Sequence, residues 1–239
     1  MAAARAFAAI LFVLLTGLAA GAQALSVIPV NIVFSPGQRA NSLTVTNEGT
    51  TETAIQIRAY AWSQKDDEDQ LTATGAVALS PPLAKIAPGA SQVVRLILRQ
   101  PPLDREATYR ILVDQIPPPA EPGIVHMVLR LSIPIFAQPA TRALPHIQFH
   151  VERDAGKLFL VGVNDGLRHE AIHEIVLSTG DGRKLKEEPS SSPYILAGST
   201  RRWPIAAQDP LPLPSETLQL TAHADAGVID QQVRFVPAP

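Results

Sequence analysis

The chain has 239 residues, with no cysteine, 22 prolines, 14 glycines, 5% aromatic residues and a formal net charge of −2. The missing cysteines exclude a disulfide scaffold and any Cys-ligated zinc or iron–sulfur site, and 46% hydrophobic residues exclude a disordered chain. The near-neutral balance supplies no field for nucleic acid, so no nucleic-acid partner is expected. Residues 1–24 read as a secretory signal peptide. Arg5 is the positive start, Phe7 to Leu15 the apolar stretch, and Ala22-Gln23-Ala24 the small-x-small cleavage site. The stretch is short for a hydrocarbon layer of about 30 Å and no basic stop-transfer cluster follows. The mature chain is therefore expected to start at Leu25, outside the cytoplasm, with no stable membrane insertion.

The mature chain reads as strands in two blocks. Proline excludes long helices over much of it. Leu43 to Thr46 alternates and ends at the turn Asn47-Glu48-Gly49. Ala54 to Trp62 alternates next, followed by short apolar runs at Val93 to Leu98 and Tyr109 to Val113, and the longest run at Val125 to Phe136. A second series holds Ile147 to Val151, Leu158 to Val163, Ile172 to Leu177, Thr217 to Ala222 and Gln232 to Val236. Its turns are Asp154-Ala155-Gly156, Asn164-Asp165-Gly166 and Gly180-Asp181-Gly182. Short strands with this punctuation predict an all-β protein of sandwich or barrel type. The break falls at Gln138 to Pro145, and each block has the size of an immunoglobulin-like sandwich. The division is a domain over 25–141 and a second over 142–239.

Candidate chemistry is sparse. His169-Glu170-Ala171-Ile172-His173 fits H-E-x-x-H, but that zinc pattern needs both imidazoles on one helix face. Here a turn precedes it and a strand-like run follows, so the reading is a polar inter-strand segment and no metal. The other histidines are scattered, and there is no Gly-x-Ser-x-Gly elbow or phosphate-cradling glycine loop. Asp66-Asp67-Glu68-Asp69 reads as a solvated hairpin tip rather than a calcium site. An enzyme is not supported.

Three ordered segments between residues 31 and 136 resemble the N-terminal domain of periplasmic pilus chaperones, the PapD-like family of the chaperone–usher pathway. They are Val33-Phe34-Ser35-Pro36-Gly37 leading to Leu43-Thr44-Val45-Thr46-Asn47; Ser80-Pro81-Pro82, Ile86-Ala87-Pro88-Gly89 and Gln92-Val93-Val94-Arg95-Leu96; and Glu106 to Leu112 ending in Gln115-Ile116-Pro117. The short segment Ile116 to Ile124 and Leu131-Ser132-Ile133-Pro134-Ile135-Phe136 look more like the archaic, Csu-type branch. The resemblance implies two immunoglobulin-like β-sandwich domains set as a boomerang. It implies pilus or fimbrial subunits as partners, each lacking its last strand, and an outer-membrane usher that receives them. The chaperone fills the subunit's groove with a strand of its own, a form of strand addition; no ATP, metal or other cofactor is implied.

The resemblance also supplies site residues. Two basic positions that hold the subunit's C-terminal carboxylate fall on Asn31 and Pro134, neither charged. Arg110 and Arg130 are the expected replacements, because residues equidistant from a hairpin turn around Pro117 to Pro122 pair across it and two guanidiniums suit a carboxylate. Glu106 and Asp225 match acidic residues that tie the two domains together; the basic partner's position is Gln138, with Arg142 a nearby substitute. The lent strand is expected over Val125 to Ile135. One parity holds Val125, Met127, Leu129, Leu131, Ile133 and Ile135 as a continuous apolar face, and Val125, Met127, Leu129 and Leu131 are expected to fill the subunit's pockets. Polar His126, Arg130 and Ser132 on the other parity, with Pro134, mark an edge strand. The competing reading is an extracytoplasmic β-sandwich adhesin or carbohydrate-binding module, which needs exposed aromatics that Trp62, Trp203, Tyr60, Tyr109 and Tyr194 would have to supply.

Overall fold

The computed structural model describes residues 25–119, 123, 127–189, 192–206 and 211–237; the signal peptide and Val125 lie outside the described residues. In chain order the first block holds β1 (Leu25–Ile28), β2 (Ile32–Phe34), β3 (Ala40–Asn47), β4 (Thr53–Lys65), β5 (Glu68–Ala73), β6 (Val77–Ser80), β7 (Leu83–Ile86), β8 (Ser91–Leu98), β9 (Ala107–Ile116) and β10 (Arg130–Ala137). The second holds β11 (Ile147–Asp154), β12 (Lys157–Asn164), β13 (Glu170–Ser178), β14 (Lys184–Glu187), β15 (Tyr194–Ile195), β16 (Ser199–Ala206), β17 (Thr217–Ala224) and β18 (Gly227–Arg234).

The first block is two sheets face to face. One runs β1-β3-β8-β6, the other β2-β10-β9-β4-β5 with β7 also on β4. The alternation in the sequence decides which face each strand buries. On β8, Val94, Leu96 and Leu98 point inward while Val93 and Ile97 are exposed. Leu43 and Val45 on β3, Ile55 and Ile57 on β4, and Ile111 and Val113 on β9 complete the same core. Each such side chain withdrawn from water contributes about 1.5–3 kcal/mol. Neighbouring β4 and β5 meet at a hairpin whose tip residues, Asp66 and Asp67, both adopt positive φ (53° and 64°), the backbone a two-residue turn between twisted strands demands.

The second block forms a ladder β11-β12-β16-β14-β13-β17-β18, with β15 on β13, curled round a core that includes Val151, Leu160, Leu177, Trp203 and Leu220. Its first and last strands meet at a parallel bridge between Val151 and Phe235. The protein is all-β, two immunoglobulin-like sandwiches joined by the stretch 138–146. That stretch lies against the turn Asn164–Gly166: Leu167 N–H donates to Leu144 O at 2.9 Å and Asp165 N–H to His146 O at 3.1 Å. A Cβ on Gly166 would meet Leu144 O at 2.6 Å, Pro145 C at 2.8 Å and the His146 nitrogen, all backbone atoms. Gly166→Ala is therefore expected to cost about 1–3 kcal/mol through forced displacement, read as a lowered melting temperature; an unchanged melt would show that the junction yields freely.

The run expected over Val125 to Phe136 is shorter as a strand. β10 starts at Arg130, and residues 127–129 are outside it. The continuous apolar face is divided by its surroundings: Ile133 and Ile135 are buried in the sandwich's own core, Leu131 is half-buried, and Met127 and Leu129 are exposed.

Candidate functional site

One stretch of sheet edge is open. β10 pairs antiparallel with β9 from Arg130 to Ala137, but on its other side β2 pairs with it, in parallel, only from Ile135 to Ala137. Among the described residues the outer edge of Arg130–Pro134 thus has no strand beside it. Pro134, which has no N–H to offer a ladder, is the last residue before β2 begins. Just ahead of this edge, Met127 is 86% exposed, Val128 48% and Leu129 38%. Apolar side chains this exposed beside a free edge make a template for a further strand.

The register of β9 on β10 corrects the expected arginine pair. Arg110 stands opposite Pro134, and Arg130 opposite Asp114. Pairing Arg110 with Arg130 needs a turn centred on residue 120; the observed register is displaced from that by two residues, so the two arginines lie four rows apart, about 13 Å at 3.3 Å per residue. Arg130 pairs through Nε with Asp114 Oδ1, and Asp114 Oδ2 accepts from Arg58 at 2.6 Å. Partial burial by itself would push the Asp114 carboxyl up, but the Arg58 and Arg130 guanidiniums outweigh it and hold the carboxyl below the ordinary range. A depressed carboxyl keeps its charge at every pH above its unfolded value and loses it only in stronger acid, so this triad persists through neutral and mildly acidic conditions.

Arg110 sits deeper, with its side chain 11% exposed. Its guanidinium lies 3.8 Å over the Trp62 ring and 3.6 Å from Asp69 Oδ2. Burial lowers its pKa, with Asp69 opposing, yet a guanidinium remains a cation in any aqueous setting proteins meet. Among the described residues no hydrogen bond uses its donors. A stacked, partly buried cation with unspent N–H groups is suited to a planar anion.

This arginine belongs to the junction between the sandwiches. Trp62, Phe136 and Leu196 are buried together there, with Tyr194 packed against them. The His169 ring stacks on Phe136 at 3.5 Å and 6°. Glu106, whose side chain is fully buried, accepts on one oxygen from His169 N–H at 2.9 Å and from the His169 ring nitrogen at 2.6 Å. Gln64 bridges to the second sandwich twice, donating to Tyr194 O and accepting from Leu196 N–H, both at 2.9 Å. The acidic run is a hairpin tip and only partly solvated: Asp66 and Glu68 are exposed, but Asp67 accepts from Arg202 N–H at 2.8 Å, and Asp69 pairs with Arg201 at 3.6 Å as well as with Arg110. Two-residue turn geometry carries these carboxylates across to β16.

Of the two acidic residues expected at the junction, Glu106 is there, tied to His169 and not to a cation near residue 138. Asp225 is exposed at the β17–β18 turn, within electrostatic reach of Tyr194 and with its backbone bonded to Glu170; it forms no ion pair among the described residues, nor does Arg142. Asn31 is also exposed. The H-E-x-x-H segment runs into strand β13, where Glu170 is buried and His173 exposed, so the imidazoles are not brought together as on a helix. Sequence reasoning missed His169, Trp62, Phe136, Gln64 and Tyr194 as junction residues. The only sequence signal was aromatics at the strand ends nearest the block boundary. No aromatic platform for a glycan exists in the described residues: Trp62, Trp203 and Tyr109 are buried, Tyr60 and Tyr194 half-buried.

Residues 24–143 match the family described as pili and flagellar-assembly chaperone, PapD N-terminal domain. The chaperone protein PapD of Escherichia coli is 28% identical over 164 residues, 65% of this chain and 65% of that protein. The chaperone protein FimB/FhaD of Bordetella pertussis is 31% identical over 133 residues, 50% of this chain and 51% of that protein. The chain thus aligns to between half and two thirds of the length of these relatives. In fold it is similar to the crystal structure of the CsuC–CsuE chaperone-tip adhesion subunit pre-assembly complex from archaic chaperone-usher Csu pili of Acinetobacter baumannii. The TM-score is 0.64 and the identity 20%, covering 90% of this chain and 100% of that one.

Proposed function

The chain belongs to the PapD-like family of pilus chaperones, and from that premise we propose that it captures pilus subunits by lending them a strand along the open edge of β10 and delivers them to an outer-membrane usher. The observation that carries the reading is the unpaired edge Arg130–Pro134 with Met127 and Leu129 exposed ahead of it. Backbone bonds along the edge supply affinity, and alternate side chains enter the subunit's pockets. Val125, Met127, Leu129 and Leu131 are the pocket-filling residues of this proposal. The capture is non-covalent and the chain acts without catalysing a reaction. The family's periplasmic setting agrees with a signal peptide over 1–24 that is removed on export.

A strand added beside Arg130–Pro134 must stop where β2 begins, next to Asn31 and Ile32. Its end then arrives beside Pro134, the cross-strand neighbour of Arg110. If the added strand runs parallel to β10, that end is the subunit's C-terminal carboxylate. In this proposal Arg110, whose donors are unspent, receives it by exchanging Asp69 for the incoming carboxylate. Arg130, drawn to Asp114, is a subsidiary contact.

Arg110→Ala is the direct test. A charge-assisted hydrogen bond contributes about 1.5–3 kcal/mol, so the variant is expected to lose roughly 10- to 100-fold in affinity for the subunit that co-purifies with the wild-type chain from the periplasm. Arg110→Lys should keep part of the binding, having the charge without the planar fork. Undiminished co-purification with Arg110→Ala removes it from the site; absence of any subunit with the wild-type chain overturns the function.

A further inference from the structure

We propose that Asp114, acting with Gln115, is the positioning residue that sets the register of the lent strand. The proposal rests on the strand-lending reading and assigns to these two residues the task of presenting Met127 and Leu129 at a fixed row of the edge.

β9 is apolar over Ile111 to Val113 and then carries two polar residues in succession. Adjacent strand residues face opposite sides of the sheet, so the pair reaches both faces of the same ladder end. On the outer face, Asp114 joins Arg58 of β4 to Arg130, the first residue of β10. On the inner face Gln115 is 6% exposed. Its side chain donates to Thr53 Oγ1 of β4 at 2.9 Å and accepts from Leu129 N–H at 3.2 Å, while its backbone N–H donates to Leu129 O at 2.9 Å. The row at 129–130 is therefore pinned from above by a carboxylate and from below by an amide, and both pins run through β9 to β4.

The pin lies where a pin is required. Toward the C-terminal end, β10 is held by Ile133 and Ile135 in the core and by β2 at 135–137. Between that anchor and the exposed segment, Pro134 contributes no N–H to either neighbour. A slip of one residue would turn every side chain of the segment to the wrong face, and a slip of two would carry each to its neighbour's pocket. Without Asp114, Arg58, which stands opposite Leu112 two residues along β9, and Arg130 would be left as neighbouring like charges with no anion between them, and Arg130 would be driven outward. The partner chemistry this favours is an extended apolar groove whose pockets match the spacing of Met127 and Leu129, which makes Asp114 a determinant of which subunits fit.

Amide hydrogen exchange of the free chain and subunit capture together test this. In Asp114→Asn, exchange at Leu129, whose N–H is bonded to Gln115, is expected to rise about tenfold, and capture of the subunit that co-purifies with the wild-type chain to fall about tenfold, the scale of one lost charge-assisted hydrogen bond. Exchange at Ile133 to Ala137 should not change, which a general loss of stability would not permit. Asp114→Glu, which keeps the carboxylate, should restore part of both. Arg130→Gln removes an exposed partner and no buried group, so it guards against a folding failure and should act in the same direction. Unaltered exchange at Leu129 in both Asp114→Asn and Arg130→Gln overturns the proposal. So does capture that is kept with Asp114→Asn and lost with Met127→Asp. Capture kept with Met127→Asp as well overturns strand lending itself, and the proposal with it.

Discussion

Met127→Asp and Leu129→Asp are each expected to abolish subunit capture while the chaperone folds and melts as the wild type does. Both side chains are exposed, 86% and 38%, and neither is part of a core cluster, so an aspartate there meets water in the free chain and costs the fold little. In the captured state the same positions enter an apolar groove. Burying a Met or Leu contributes about 1.5–3 kcal/mol, and that contribution disappears. The aspartate brings a further cost, because an unpaired carboxylate in an apolar site is more costly still. Together these exceed about 3–4 kcal/mol, more than a hundredfold in affinity. The contrast with Ile133→Asp sharpens the result. Ile133 is 4% exposed within the first sandwich's core, so that variant should fail by unfolding. Capture at wild-type level by Met127→Asp and Leu129→Asp, measured by co-purification beside a thermal melt, removes 127–131 from the docking edge.

How far the sequence carried the fold follows from where each strand's information lies. Leu43 to Thr46 and Ala54 to Arg58 alternate, and each has one dry and one wetter face, so period and burial agree; Leu158 to Val163 is apolar throughout and is buried on both faces around Leu160 to Gly162. β16 has the same inward parity, Arg201, Trp203 and Ile205 all being buried, but a buried arginine reads as an outward residue until its partner is known. That partner, Asp69, lies on a hairpin of the other sandwich. The same distance hid His169: its carboxylate partner is 63 residues away, and no local pattern encodes such a contact. Within the acidic run 66–69, Asp67 and Asp69 escaped for the complementary reason, since charges look solvated until a cationic strand is folded against them. Arg110 and Arg130 were both visible as cations on β9 and β10. Their separation was not, because it depends on a two-residue displacement of the hairpin centre that Pro117 to Pro119 leave open.

Glu106→Ala is expected to produce the largest loss of stability of any single substitution at the domain junction. The surface-facing ties there are redundant: Asp69–Arg201 and Asp67–Arg202 both cross from the β4–β5 hairpin to β16, so removing one leaves the other. Glu106 has no understudy. Its side chain is fully buried, and a single oxygen takes both the backbone and the ring N–H of His169, while its second oxygen has no hydrogen-bond partner among the described residues. Truncation strands two buried donors at about 1–3 kcal/mol each, beneath a ring stacked on Phe136 at 3.5 Å. At about 2–4 °C per kcal/mol for a chain of this size, the melting temperature should fall by roughly 10 °C. Glu106→Gln keeps an acceptor for those donors and should fall part of the way. Because Phe136 is the penultimate residue of β10, loosening the junction also frees the anchored end of the lent strand, so capture should weaken in step with the melt. A calorimetric trace for Glu106→Ala that overlays the wild type would show that the His169 contact does not hold the sandwiches together, and that Gln64 and the Asp67–Arg202 pair suffice.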